Sequence, residues 1–445
     1  MNQRQSQQGA ATLVVVMVLF FIISLVAAYT SRNLIFEQRT SANQYRSTQA
    51  LEAAEAGLEW AVSMLNFGRI NSTCVKSTNT SDTSFRQRYL SIDPANGNIT
   101  PALALTVTPA CVRTPAGWDC KCPDGAPPTL TAPSDPGVWP AFRVRFRTVD
   151  SLPATPGVPR QPGVIRVEVV GCTRADPAGA VDQCLAFDGR GALNEGRVVI
   201  SSLVALTGNP VGTPVAALTA GGPVNVAGTA LLRVFNTSPA GLGFTVHAGG
   251  AINTSGMDLR TTPGSPASSS VIPVDSALGL PAIGTFTTAD RMFATIFNMR
   301  LETFRTQQAA VEVACPGLAG CSAAAVRTAI SLNPQRPIWL TGPLNVDSAG
   351  DIGSATEPVV IIVNGDLKFS TSGVTIHGLV YNRLAPLATT WVTDGSGQVS
   401  GAVVAEGGVS GAGTANLVYD ADILARVRHN VGTFVRAPGS WRDFQ

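Results

Sequence analysis

The chain has 445 residues, a net charge of +2 and only 13% charged side chains, with 44 glycines and 30 prolines. That length allows two or three domains with sizeable cores, and the low charge beside so many turn formers describes a neutral, loop-rich surface. Positive charge is spread along the chain without the basic patch that nucleic-acid binding requires, so nucleic acid is not an expected partner.

Residues 1–9 are polar, carry Arg4 and end in Gly9. From Ala10 to Tyr29 the chain is free of charge, with Thr12, Ser24 and Tyr29 as polar interruptions. About twenty such residues cross a bilayer core at ~1.5 Å per residue. No Gly or Pro occurs between Ala10 and Ala56, and Leu51, Ala54, Leu58, Ala61 and Leu65 recur at helical spacing. One helix is therefore expected over 10–66, apolar all round at first (the span, 10–29) and amphipathic afterwards. A cleaved secretory signal is the competing reading, because Val26-Ala27-Ala28 offers small residues behind an apolar core. The apolar run exceeds a signal core of about 7–15 residues and the helical pattern continues past the cut, which favours a retained anchor. Charge bias does not orient the span: Arg4 precedes it, and Arg32, Arg39 and Arg46 follow it.

A polar leader ending in Gly9, a charge-free helix and the continuation Gln49-Ala-Leu-Glu-Ala-Ala-Glu-Ala-Gly-Leu58 resemble type IV pilins, most closely the PilX-type minor pilins, over the first 65 residues. The resemblance implies cutting by prepilin peptidase after Gly9 and N-methylation of Ala10. It implies residence as a single-pass inner-membrane protein with a periplasmic domain, and later at the pilus or cell surface. Expected partners are other major and minor pilins and a PilY1-like tip adhesin. Major pilins carry a Glu at the fifth mature position, where this chain has Val14, and the first acid beyond the proposed cut is Glu37. A carboxylate inside a bilayer is costly unless paired, and in pilins it faces a neighbour's terminal ammonium. Val14 cannot make that pair. The K-type minor pseudopilin of type II secretion lacks the same acid and sits at a filament tip, so the resemblance points to a tip or priming role, in a type IV pilus or a type II system; a membrane-resident protein that never enters a filament fits the missing acid as well.

Residues 67–206 combine Pro-rich loops with three strand signals, forming the expected pilin-like head. Ala141-Phe-Arg-Val-Arg-Phe-Arg147 alternates strictly, setting Phe142, Val144 and Phe146 on one face and Arg143, Arg145 and Arg147 on a face expected to be solvated. Val164–Gly171 and Gly196–Val204 follow at intervals suited to an antiparallel sheet. All eight cysteines lie beyond the apolar segment, as an oxidising compartment requires. Cys120 and Cys122 are too close to pair with each other, so they are expected to bridge Cys74 and Cys111 in one order or the other. Cys172 with Cys184 and Cys315 with Cys321 are the local pairs. A zinc site is the alternative, but the repeated C-x₂₋₄-C spacing is missing and His247, His377 and His429 are scattered.

Residues 207–445 repeat one unit: Leu218–Gly228, Val246–Gly256, Leu340–Val346, Ile362–Gly373 and Val404–Gly413 each hold a short apolar strand, a Gly turn and a second strand. Such units suit a stacked, solenoid-like fold, a right-handed β-helix, although their irregular spacing leaves a β-sandwich open. One helix interrupts the region, with Thr288 as cap and Met292, Phe293, Ile296, Phe297, Leu301 and Phe304 as its apolar stripe. It is expected to pack on the end or side of the stack. The fold class is thus α+β and mostly β: a long pilin-like helix on an antiparallel sheet, followed by a β-helix-like or β-sandwich region.

Nothing in the chain composes a catalytic set. The three histidines are isolated, Gly408-Val-Ser410-Gly-Ala412 misses the final glycine of a nucleophile elbow, and no Walker A string or complete dinucleotide loop occurs. Asp347, Asp351 and Asp366 could offer carboxylates to Ca²⁺, but not at EF-hand spacing. His377 reads as a strand histidine and Glu406 as an exposed turn carboxylate. The expectation is a structural protein with no enzymatic activity, no cofactor and no metal. The alternative is an anchored carbohydrate-binding or carbohydrate-active module.

Overall fold

The computed structural model describes residues 8–131, 139–149, 161–173, 184–187, 196–208, 210–226, 231–278, 288–306, 310–317, 320–383, 390–395, 397–413 and 415–443. Helix α1 (Gln8–Leu65) is unbroken over 58 residues, or about 87 Å. From Thr12 to Tyr45 every side chain is exposed, and Ala50 is the first one buried. More than half of the helix therefore stands clear of the other described residues.

The head begins with α2 (Phe85–Tyr89), whose Ser84 and Gln87 form a capping box, and a hairpin of β1 (Leu90–Ile92) and β2 (Ile99–Pro101). Its main sheet contains β3 (Ala110–Thr114), β4 (Gly117–Lys121), β5 (Ala141–Thr148), β6 (Val164–Cys172) and β7 (Arg197–Thr207), all paired antiparallel. One face buries Phe142, Val144, Phe146, Val167, Val169 and Ile200 against Leu58 and Leu65 of α1. The alternation of β5 thus sets the inner face as expected.

Its outer face differs from the expectation of a solvated arginine row. Arg147 is exposed, but Arg145 is only 8% exposed: Nε donates to Glu168 Oε2 at 2.6 Å and the guanidinium lies 4.0 Å over the Phe187 ring. The Cys172–Cys184 disulfide places Leu185 and Phe187 over this face, where they pack with Val112, Ala141 and Val170. A roof supplied by residues forty positions downstream leaves no mark on the local alternation.

The second unit is a parallel β-helix wound from two separate runs of chain. The first run comprises β8 (Ala216–Ala220), β9 (Val224–Val226), β10 (Leu232–Phe235), β11 (Phe244–Ala248), β12 (Ile252–Asn253), β13 (Met257–Arg260) and β14 (Val271–Ile272). Helices α3 (Thr288–Phe297) and α4 (Leu301–Thr306) follow. The second run comprises β15 (Val311–Val313), β16 (Cys321–Ser322), α5 (Ala323–Leu332), β17 (Ile338–Leu340), β18 (Leu344–Val346), β19 (Val359–Asn364), β20 (Leu367–Phe369), β21 (Thr375–Arg383), β22 (Thr390–Gly395), β23 (Gln398–Ala405), β24 (Gly408–Gly413) and β25 (Asn416–Tyr419). Every pairing among these strands is parallel. That excludes the sandwich, whose hairpins would be antiparallel. All five repeats noticed in the sequence are strand–corner–strand pieces of this stack.

The two runs meet on β23. Gln398–Gly401 pair with β25, and Val403–Ala405 pair with β8, almost two hundred residues earlier. One turn of the β-helix is therefore completed by opposite ends of the domain, which explains the irregular repeat spacing. Two inner cores result. The axial core stacks Leu218, Val246, Leu340, Val363 and Val403, closed at the β15 end by Ala323 and Val326 of α5. A lateral core seats Phe293, Phe297 and Phe304 of α3 and α4 on Trp339, Ile362, Tyr381 and Val404, together with Ile423, Leu424 and Val427 of α6 (Ala421–Asn430). The expected helix thus packs on the side of the stack, broken in two at Asn298, which has a left-handed φ of 48°. The Thr288 side chain lies outside the described residues.

After α6 the chain returns to the head. Strand β26 (Thr433–Arg436) pairs antiparallel with β7, at the edge of the head sheet. The expected C-terminal unit 207–445 is corrected accordingly: its final strand belongs to the head.

Candidate assembly surface

The apolar part of α1 offers a continuous greasy surface. Phe20 is 72% exposed and Phe21 68%, none of the described residues covers them, and the segment is long and apolar enough to cross a membrane. Helical hydrogen bonding satisfies its backbone, and Thr30 Oγ1, just beyond it, bonds back to the Val26 carbonyl at 2.9 Å. Val14 lies on this surface, 59% exposed. Gly9 and Ala10 belong to the helical backbone; the Ala10 side chain and residues 1–7 altogether lie outside what the structure describes.

Higher up, the helix comes close to the sheet because both surfaces are small. Ala50, Ala53, Ala54 and Ala61 are buried. A Cβ on Gly57 would stand 2.7 Å from the Phe142 ring, and one on Gly171 would overlap the Ala50 carbonyl. This contact fixes the direction in which the exposed part leaves the head.

The top of α1 is fastened to both units. Arg86 is 1% exposed; its Nε donates to the Leu65 carbonyl at 2.8 Å and its Nη1 to the Gly432 carbonyl at 2.9 Å, with its guanidinium 5.1 Å from the Phe434 ring centre. Burial, and secondarily the Arg336 charge, lowers its pKa to about 9, so it stays protonated at neutral pH. Asn66 clasps Phe434 through two 2.7 Å hydrogen bonds. Arg69 Nε donates to the Ser331 carbonyl in the last turn of α5 at 2.5 Å. Helix, head and β-helix therefore share one junction.

All four disulfides form, and Cys120 and Cys122 resolve to Cys111–Cys120 and Cys74–Cys122, beside Cys172–Cys184 and Cys315–Cys321. Cys111 and Cys120 face each other across the β3–β4 hairpin, which leaves Cys122 for Cys74. Because Cys74–Cys122 closes a 48-residue separation, replacing both cysteines with serine should cost about 2–4 kcal/mol in a thermal or urea melt of the full chain. Removing the hairpin bridge should cost less, since chain entropy scales with loop length.

Other sequence-noted groups remain apart. His247 Nε2 meets Asp275 Oδ2 at 2.6 Å, and His377 lies 3.7 Å from Asp351. His429 has its pKa lowered, chiefly by burial. Asp347 accepts from the Ala323 amide and Asp351 from the Thr375 amide, while burial raises the pKa of Asp366; among the described residues no three potential ligands gather as a metal site. Ser410 faces outward on β24, in register with Asn225. Glu406 corrects the reading of an exposed carboxylate: it is 5% exposed, accepts from Tyr381 Oη at 3.0 Å and sits 3.6 Å from Arg383 Nε. Tyr381 and Arg383 of the neighbouring turn engage it, a placement that its Gly-Gly context conceals. Arg86, equally invisible locally, lies in Phe85-Arg-Gln-Arg-Tyr89, whose spacing gives no hint that the first arginine is buried.

An exposed apolar helix carrying a disulfide-bonded head is the arrangement of a membrane-anchored pilin-type protein. Residues 8–59 match the PilX N-terminal family model, so this segment is PilX-type and the chain resembles the PilX-type minor pilins through it. The crystal structure of the competence-associated pilin ComZ from Thermus thermophilus is similar at 11% identity and a TM-score of 0.25, over 89% of this chain and 97% of that one. The fold described above rests on the chain's own strand pairing. No curated protein matches the chain.

Proposed function

We propose that the chain is a minor pilin-type structural subunit that primes or caps a type IV pilus. The observation that carries this reading is the helix that stands clear of the fold from Thr12 to Tyr45, its lower part apolar all round, within a segment that matches the PilX N-terminal model. A surface of that kind is buried first in the inner membrane and then among other helices. On this reading prepilin peptidase cuts after Gly9, Ala10 is N-methylated, and the head and β-helix lie in the periplasm until assembly carries them outward. Partners are major and minor pilins and a PilY1-like adhesin met by the bulky distal unit; the role is mechanical, without catalysis or cofactor. Val14 favours an end position, since it offers no carboxylate to a neighbour's terminal ammonium.

Mass spectrometry of protein taken from membranes should find an N-terminal peptide that starts at methylated Ala10, and deletion of the gene should abolish piliation. A mature start at Met1 or at Tyr29 would overturn the reading.

A further inference from the structure

The outer face of the head sheet is roofed only in part. Leu185 and Phe187 cover Val112, Ala141 and Val170. Beyond them two rows of side chains cross the sheet, Arg145, Glu168, Ser201 and Arg442 in one and Arg147, Arg166 and Leu203 in the next. Arg442 joins through the tail after β26, whose backbone exchanges two 2.8 Å hydrogen bonds with Ser201. Glu168 is the one acid in these rows. Arg145 Nε holds its Oε2 at 2.6 Å, and Arg147 Nη1 stays 3.7 Å from its Oε1. Among the described residues Arg166 and Arg442 have no ion-pair partner.

Arg147 and Arg166 stand directly opposite each other on adjacent antiparallel strands. Their Cβ atoms are then about 5 Å apart, a position in which like charges repel. Side by side, the two guanidinium forks make a clamp that one carboxylate entering between them would neutralise with charge-assisted hydrogen bonds. An aliphatic strip adjoins the clamp on the same face: Val164, Leu203 and Ala205 are half-buried, and Val435 is 38% exposed. Leu203 lies one and a half strand spacings from the middle of the clamp, about 7 Å, which matches the separation of residues i and i+2 in an extended chain.

We propose that this open part of the face docks an extended segment of a partner protein, carrying an acid and an aliphatic residue two positions apart. The acid enters between Arg147 and Arg166, and the aliphatic side chain lies on Leu203 and its neighbours. Arginines around a small apolar centre are the composition of a protein interface. A polyanionic sugar would use the arginines and leave the aliphatic strip without a purpose. Lipid headgroups are out of reach, because the patch is at the end of β6 away from Gly171, the residue that meets Ala50. Ala50 itself is about 30 Å of helix beyond Tyr29. The inference concerns the head alone and does not depend on the pilin-type reading.

The test uses the full-length chain in detergent and a fluorescein-labelled peptide, Ser-Glu-Ser-Val-Ser-Glu-Ser-Val-Ser, followed by anisotropy at low salt. The peptide should bind saturably and lose affinity as salt rises. Versions with Gln for Glu, or with Ser for Val, should bind several-fold more weakly. Arg147→Gln with Arg166→Gln should weaken binding of the acidic peptide about ten-fold without lowering the melting temperature, since removing two opposed cations orphans no described partner. Arg233→Gln, at an exposed arginine on β10, should leave binding unchanged. Reversing both clamp arginines to Glu should transfer binding to the peptide with Lys in place of Glu. Equal binding by the wild type and the double Gln variant, no binding of the peptide, or binding of polygalacturonate or heparin without the peptide would overturn the proposal. Anisotropy is read on purified protein, so this result and the tests of N-terminal processing and piliation can fail separately.

Discussion

Replacing Gly378 with valine is expected to lower the stability of the full chain by about 3–5 kcal/mol and to make the β-helix sensitive to protease at temperatures where the wild type resists. Gly378 and Gly401 lie side by side at the corner where β21 and β23 bend from one face of the stack to the next, with φ of 147° and 135°. A side chain at such a φ costs about 1–3 kcal/mol. The space is closed as well: a Cβ on Gly378 would overlap the carbonyl of Val359, and one on Gly401 would overlap that of Gly378. Both obstacles are backbone in adjacent turns, so relief requires the turns to move apart, adding roughly 1–3 kcal/mol of overpacking. Gly373 provides the control. It also has a positive φ, 74°, but nothing lies within 4 Å of its Cβ site, so Gly373→Ala should cost only about 1 kcal/mol. Equal melting temperatures for the Gly378 and Gly373 variants would show that the corner is not tightly stacked.

Arg86→Met should destabilise the chain by about 2–4 kcal/mol in a melt of detergent-solubilised protein and loosen the head from the β-helix, with cleavage appearing near their junction. Two effects oppose one another at this residue. The buried charge is costly, as its lowered pKa records, and removing a buried ion can be neutral or favourable when apolar packing replaces it. The carbonyls of Leu65 and Gly432, however, accept from Arg86, and Met offers them no donor. Orphaned buried acceptors cost about 1–3 kcal/mol each, which should decide the sign. Arg86→Lys keeps one donor group but loses the planar fork, so its loss should be intermediate. A methionine variant as stable as the wild type would mean that the guanidinium is tolerated at the junction and does not hold it.

The long helix was legible because its signals are local: an unbroken absence of Gly and Pro, a charge-free stretch of membrane length, then an apolar stripe. The inner face of β5 was legible for the same reason, as were the corner repeats of the β-helix. The disulfides were legible only as a set, since spacing excluded Cys120–Cys122 but could not choose between Cys74 and Cys111. Strand pairing made that choice, by placing Cys111 opposite Cys120. The candidate surface divides in the same way: Val14 and the apolar face are read directly from the chain, while the fastening by Arg86, Asn66 and Arg69 is not.

By itself, then, the sequence determined the anchor, the α+β class with a repeating C-terminal region, and an oxidised cysteine framework, since each depends on periodicity or composition within a few tens of residues. The tertiary structure alone decided that the repeats form a single stack wound from two runs, that the last strand returns to the head, and that Arg86, Arg145 and Glu406 are buried. These depend on which distant segments share an edge or cover a face: β25 and β8 both pair with β23 although almost two hundred residues separate them. A buried charge is recognisable only once the groups that enclose and pair with it have been brought together.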